Sequence, residues 1–254
     1  MIETPELFEG LGVSERRKIL SGACARDFAC REMIFWAGEP IKEIFLLTKG
    51  RVKITQLSMD GREIILGLTV PGEVIGLQGL ATEDVYSSTA QALQPCRTLV
   101  WSRAKFEAVM GRFPLVYGNA QKILARQMEA LSRRICDIVM GKVSWRLASG
   151  LLHLFRKIGR KVDGQFALDV TQEIVAGMTG MTVSTANRQL SKWERQGLVK
   201  CLRNCIVIRD FSALTQICQD GQSVSAEVVF ARDCPSLDRE NQLMLATAES
   251  LNRT

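Results

Sequence analysis

Between Ile34 and Val100 apolar and polar positions change over in short runs broken by glycine-bearing turns. Ile44 to Leu47 is continuously apolar, and Lys49-Gly50 turns the chain. Val52 to Leu57 alternates, with Val52, Ile54 and Gln56 on one side and Lys53, Thr55 and Leu57 on the other. Met59-Asp60-Gly61 is a hairpin signal. Glu63 to Val70 is the next predicted strand, Pro71-Gly72 the next turn, and Ser88 to Leu93 and Thr98 to Trp101 are further strands. Short strands with regular turns predict an antiparallel roll or jelly-roll barrel.

The period then changes. From Pro114 to Met140 there is no proline after Pro114 and no glycine after Gly118. Leu124, Met128, Leu131, Ile135 and Ile138 follow a heptad seam, with Arg126, Glu129, Arg133 and Arg134 off it. A helix of about 25 residues reaches roughly 38 Å at 1.5 Å per residue. Its length and seam predict pairing with a second copy. Gly141 to Ile158 reads as another helix, with Trp145, Leu147, Leu151, Leu154 and Phe155 inward and Gly159 as C-cap.

Thr171 to Lys200 carries the strongest pattern. Gln172 to Thr179 has the length of a short helix, Gly180 supplies a permissive turn, and Thr182 can cap a second helix. Ala186, Leu190 and Trp193 fall at i, i+4 and i+7, one buried face. Ser184, Asn187, Arg188 and Ser191 share the opposite face, which has no apolar bulk. Such a helix fits the major groove, where arginine donates twice to guanine and asparagine pairs with adenine. Gly197 ends the helix. Leu198 to Leu202 and Cys205 to Ile208 form a hairpin about Arg203-Asn204, with Lys200 and Arg203 suited to phosphate contacts. Helix, turn, helix and hairpin make a winged helix.

Composition narrows the reading without redirecting it. The 254 residues suffice for two domains, and the net charge of +6 agrees with a nucleic-acid partner. No apolar run approaches the roughly 20 residues that span a bilayer, and the start of the chain shows no secretory signal, so a cytoplasmic protein is expected. Eight cysteines are present: Cys24, Cys30, Cys96, Cys136, Cys201, Cys205, Cys218 and Cys234. None forms a C-x2-C pair, so most read as small buried groups and no metal site is predicted. Cys201 and Cys205 flank the wing turn and could face each other, which raises thiol control as a rival mechanism. The single histidine, His153, lies among apolar residues and reads as packed core. With no G-x-S-x-G and no phosphate loop, no catalytic constellation remains, and an enzyme is not expected. The segment from Gln222 to Thr254 fits no pattern beyond a strand at Val224 to Phe230 and a helix at Arg239 to Leu251.

Roll, long helix and winged helix in that order resemble the Crp/Fnr family of bacterial transcription regulators from Leu7 to about Ile217. Specific matches are Leu7-Phe8-Glu9-Gly10-Leu11, Ala37-Gly38-Glu39-Pro40, Lys49-Gly50-Arg51-Val52, Pro71-Gly72-Glu73-Val74-Ile75-Gly76 and, above all, the helix-turn-helix. The resemblance implies an α+β fold: an N-terminal antiparallel β-roll of the cyclic-nucleotide-binding kind (1–113), a long dimerisation helix (114–140), a winged helix-turn-helix (141–218) and an extension (219–254) without an assigned role. It implies a homodimer on palindromic DNA and RNA polymerase as a partner. Base contacts fall to Ser184, Asn187 and Arg188, and phosphate contacts to Thr171, Gln172, Thr182 and Thr185 with the wing residues Lys200 and Arg203. Ser184 stands where many members have a glutamate, which changes base preference there.

The family's effector pocket carries over to Gly76, Leu77, Gln78, Ser87, Ser88 and Thr89. Cyclic-nucleotide binders have a glutamate for the ribose where Leu77 stands, and an arginine for the phosphate that Tyr86-Ser87-Ser88-Thr89-Ala90 lacks. Cyclic AMP would lose its charge-assisted bonds, so weak binding or none is expected. The roll then senses another small effector or serves as a scaffold. Segments Gly76 to Leu80 and Thr89 to Leu93 look closer to the Fnr and FixK branch. That branch's iron–sulfur cluster needs four thiolates, and Cys24 and Cys30 come after the entry motif instead of preceding it, so no cofactor is predicted. A cyclic-nucleotide-binding regulatory subunit, a rival of another class, would have no use for Thr171 to Ile208.

Overall fold

A computed structural model describes residues 4–59, 61, 63–80, 85–162 and 165–220. The strand and helix expected beyond Gln222 lie outside the described residues. After a 3-10 turn at Glu6–Phe8 and helix α1 (Val13–Leu20), the chain forms β1 (Cys24–Phe28), β2 (Met33–Phe35), β3 (Glu43–Lys49), β4 (Val52–Leu57), β5 (Glu63–Thr69), β6 (Val74–Ile75), β7 (Thr89–Ala92) and β8 (Cys96–Ser102). These make two antiparallel sheets ordered β1-β8-β3-β6 and β2-β7-β4-β5, the roll that the alternating runs predict.

The apolar run of β3 explains the packing. Ile44, Phe45, Leu46 and Leu47 are all buried, because one face of the strand meets the other sheet and the other is covered by the N-terminal turn and helices. Trp101 on β8 is fully buried, packs edge-on against Phe8, and donates its indole N–H to the Ile19 carbonyl at 3.0 Å. Full burial of such a side chain is worth roughly 1.5–3 kcal/mol.

Strand β4 departs from simple alternation. Its pairing with β5 slips by one residue between Ile54 and Thr55, leaving Leu66 as a bulge. Inward burial therefore moves from Val52 to Thr55, and Gln56 and Leu57 are both exposed.

Helix α2 (Arg103–Arg112) leads into α3 (Pro114–Met140), which starts with Pro114 in its first turn and stops at Gly141. Helix α4 (Val143–Ile158) buries Leu147, Leu151 and Leu154. Strands β9 (Arg160–Val162) and β10 (Gln165–Leu168), helices α5 (Gln172–Met178) and α6 (Val183–Arg195), strands β11 (Val199–Leu202) and β12 (Cys205–Ile208), and helix α7 (Phe211–Asp220) complete the described chain. The wing is the edge of a four-stranded sheet, β11-β12-β10-β9.

The core expectation for His153 is corrected. The apolar stripe of α4 turns inward and leaves this residue on the exposed side. Shielding of the ring from water by protein atoms, with the cations Lys157, Arg156, Arg134 and Arg133 adding to it, pushes its pKa down to about 4. It is neutral at physiological pH.

Candidate nucleic-acid interface and effector cavity

The helix-turn-helix is built by local chemistry. Thr171 Oγ1 accepts the Ile174 N–H at 3.3 Å and caps α5. Gly180 takes φ +62°, the left-handed turn that the sequence pattern requires. Arg146 donates to the carbonyls of Thr179 and Gly180 and closes the turn from α4. Thr182 Oγ1 accepts the Thr185 N–H at 3.2 Å and caps α6. Gly197 then takes φ +79° just past the helix.

Burial divides α6 as its periodicity predicts. Ala186, Leu190 and Trp193 are buried, while Ser184, Arg188 and Ser191 are exposed. Among the described residues no hydrogen bond or ion pair engages the Arg188 guanidinium. Asn187 is half-buried, and its Oδ1 is enclosed without a partner. The hydroxyls of Thr182, Ser184 and Thr185 form a chain centred on Thr182, with links of 3.0 and 2.9 Å, at the helix N-terminus, where backbone N–H groups favour anions. Gln172 is half-buried and its side chain meets the Cys201 thiol, so it is partly spent inside the protein.

Lys200 and Arg203 are exposed on the wing. Glu194 Oε1 accepts the Cys201 N–H at 2.9 Å and ties β11 to the end of α6. Lys192 and Arg195 add exposed cations on the last turn of α6. The sequence shows them as basic residues beyond Arg188, but only the folded orientation puts them outward.

The expectation that Cys201 and Cys205 face each other is corrected. Cys201 pairs with Ile206 and Cys205 with Leu202, so the two thiols point to opposite faces of the hairpin. Burial pushes the Cys201 thiol up to about 11 and raises that of Cys205, which keeps both protonated and unreactive at neutral pH. Cys24, Cys30 and Cys136 are exposed and Cys96 is buried, and among the described residues no three metal-ligating side chains gather at one point.

Between the roll and α3 lies a partly open cavity of about 50 Å³ lined by Phe35, Ile54, Thr69, Ile75, Gly76, Leu77, Gln78, Tyr86, Ser87, Ser88 and Gln127. Five of the six expected pocket residues are there. Thr89 is not, because its hydroxyl accepts the Ala37 N–H at 3.0 Å beside the turn. Gln127, on α3, joins the lining unexpectedly, since the heptad pattern does not say which flank of the helix meets the roll. Its Oε1 accepts from Gln78 Nε2 at 3.1 Å, and Ser87 Oγ donates to Gln78 Oε1 at 3.4 Å. Tyr86 stacks on Phe35 at 3.7 Å and donates its hydroxyl to the Glu43 carbonyl at 2.6 Å. Among the described residues no cation lines this space, and its volume suits a few waters. Ligand pockets run to about 300–1,000 Å³.

On α3 the predicted seam is divided. Met128, Ile135 and the neighbouring Val139 are 70%, 62% and 76% exposed, whereas Leu124 and Leu131 are half-buried and Leu124 packs on the roll core. Ile138 faces Gly180 of the helix-turn-helix.

A roll joined through a long helix to a winged helix with an open polar recognition face defines a DNA-binding transcription regulator, not an enzyme. Residues 25–113 match the family model of the cyclic nucleotide-binding domain, and residues 146–217 that of the Crp-like helix-turn-helix domain. The chain belongs to the Crp/Fnr family of transcription regulators. A CRP-like cAMP-activated global transcriptional regulator of Mycobacterium tuberculosis is 24% identical over 212 residues, spanning 83% of this chain and 95% of its own. A cyclic AMP receptor protein of Thermus thermophilus is 26% identical over 212 residues, with the same 83% and 95% shares. The structure of FixK2 from Bradyrhizobium japonicum shares the fold, with a TM-score of 0.69 at 22% identity over 80% of this chain and 99% of that one. No helix of the described residues is long and apolar enough to cross a membrane.

Proposed function

We propose that the protein acts in the cytoplasm as a homodimer that binds palindromic DNA without cyclic AMP and works on transcription together with RNA polymerase. The open polar face of α6, set opposite Ala186, Leu190 and Trp193 and carrying the unengaged Arg188, is the observation that supports this reading most. Arg188 reads guanine, and Ser184 and Asn187 contact neighbouring base edges once the Asn187 amide turns outward. Thr171, Gln172, Thr182, Thr185, Lys200 and Arg203 hold phosphates and set the register. Residues 1–113, 114–140 and 141–218 serve as roll, dimer helix and reading domain.

The exposed apolar positions Met128, Ile135 and Val139 support pairing through α3, which places two recognition helices on half-sites about one DNA turn apart, roughly 34 Å. Two relatives are named for cyclic AMP. The small cavity here, with Leu77 buried in its wall and no cation among the described lining residues, supports a roll that does not take it and suits a far smaller effector.

Selection of bound sequences from a random duplex pool, with no ligand added, tests the reading. A palindrome with half-site centres about 10 base pairs apart is expected. The double variant Met128→Glu, Ile135→Glu is expected to sediment as a monomer and to recover no palindrome. A single unrepeated site bound by the unaltered protein would overturn the dimer, and no enriched sequence would overturn base reading.

A further inference from the structure

Strand β5 of the roll is shared with the reading domain. Ile65 and Leu68 are buried in the same apolar cluster as Leu151, Val175 and Met178, apart from the main core of the roll. Opposite Ile65, helix α5 carries Gly177, where a Cβ would stand 2.7 Å from Ile65 Cδ1, so any larger residue would push the Ile65 side chain aside.

The bulge at Leu66 frees a carbonyl from the β4–β5 ladder. That carbonyl accepts from Arg134 Nη1 at 2.9 Å, and Nη2 of the same guanidinium donates to the Gly177 carbonyl at 2.9 Å. One fork on the long helix therefore grips the roll and the C-terminal end of the first reading helix together. We propose that Arg134 is a positioning residue for DNA recognition: its fork locks α5 onto the β5 bulge and so presets the orientation in which α6 meets the groove.

Three observations carry this. First, the geometry requires arginine, because a lysine ammonium lacks the planar fork that serves two fixed carbonyls. Second, the arrangement is costly. Both arms of the fork end on backbone carbonyls, no carboxylate among the described residues neutralises it, its Nε is buried without an acceptor, and burial lowers its pKa. An incompletely satisfied buried cation is weak evidence for stability alone. Third, the lock leaves the reading surface free: Ser184, Arg188, Lys200 and Arg203 remain exposed while the seam is closed. Between α3 and α4 the chain is extended at Gly141 and Lys142, a joint about which an unlocked reading domain would pivot. DNA binding would then have to supply the lost orientational freedom.

Arg134→Met keeps the apolar stem and removes the donors, and Arg134→Lys can serve only one carbonyl. In the free protein, hydrogen exchange in Arg134→Met should rise at least tenfold across 63–69 and 172–179, with β3 and β8 unchanged. Equilibrium binding to the selected duplex should weaken by about tenfold, with Arg134→Lys between it and wild type. The salt slope should stay the same, because the phosphate contacts are intact. Discrimination against duplexes with one base pair added between half-sites should fall. Gly177→Ala, which opens the seam from the α5 side and keeps the Arg134 guanidinium, should move every readout in the same direction. Unchanged exchange and affinity would overturn the proposal. So would tighter binding by Arg134→Met, which would make the seam a restraint against DNA. The inference rests on the winged helix as the DNA reader; if wild type bound no duplex, that reading would fail first, while exchange would still report the lock.

Discussion

The cavity in the roll and the outer face of α6 are made from the same kinds of side chain, short hydroxyls and amides, and their fates differ. In the roll, Gln78, Ser87 and Gln127 bond to one another, and Tyr86 stacks on Phe35 with its hydroxyl on a backbone carbonyl. On α6, Ser184, Arg188 and Ser191 point to solvent, and the guanidinium is uncommitted among the described residues. Polar groups that satisfy each other inside a small space act as structure. Similar groups turned outward beside a cation act as a receptor for an anionic polymer. The two places therefore leave different amounts of polar surface open in this chain.

The contrast breaks first if the reading face does not depend on its buried counterpart. Trp193→Ala should lower stability by about 3–5 kcal/mol, seen as a lower denaturant midpoint. An unchanged midpoint would mean that α6 is not held by this side chain. Arg188→Ala should leave the melting temperature alone and weaken binding to the selected palindrome by roughly 10- to 100-fold, relaxing preference at one base, since a good bidentate pair is worth about 1–3 kcal/mol. Equal weakening across all duplexes would reassign it to the phosphates. Tyr86→Phe sharpens the other side of the contrast. Loss of its bond to the Glu43 carbonyl should cost about 1 kcal/mol of stability with DNA affinity unaltered, and a change in affinity would give the cavity a regulatory part. The smallest effect belongs to Lys200→Ala, which should weaken binding modestly for every sequence and reduce the salt slope by about one unit.

How much is legible in the sequence depends on how local its causes are. The cap at Thr182, the turn at Gly180 and the stripe Ala186, Leu190, Trp193 are set within a few residues, and the structure has them where the pattern predicts. Strand β1, Cys24–Phe28, has four exposed residues and no alternation; it is held by pairing to β8 and by ion pairs, Arg97 with Asp27 and Arg26 with Glu43. Such a strand exists only once its neighbours do. Strands β9 and β10 escape a sequence reading for the same reason, being short, with β9 held by β10 and β10 by β12. Helix α7 does carry a signal, Phe211, Leu214 and Cys218 at i, i+3 and i+7, too short to stand alone.

The sites divide likewise. The polar face of α6 is a property of one helix. Gln127 in the cavity and the Arg134 fork depend on how α3 lies against the roll, the displaced Thr89 on a turn 52 residues away in sequence, and the bulge at Leu66 on register. The two wing thiols illustrate the limit: four residues apart across a turn, they face apart because each pairs with the other's neighbour.

Under the proposed function, DNA is read through α6 with no cyclic nucleotide in the roll. An equilibrium titration of the selected palindrome, with and without saturating cyclic AMP, addresses it most directly. The same nanomolar-range affinity in both, about 10 nM or tighter as for specific DNA readers, is the predicted result. Binding that appears, or tightens tenfold or more, only with cyclic AMP would contradict it, and would mean that the small cavity widens for a ligand that no cation among its described lining residues would hold.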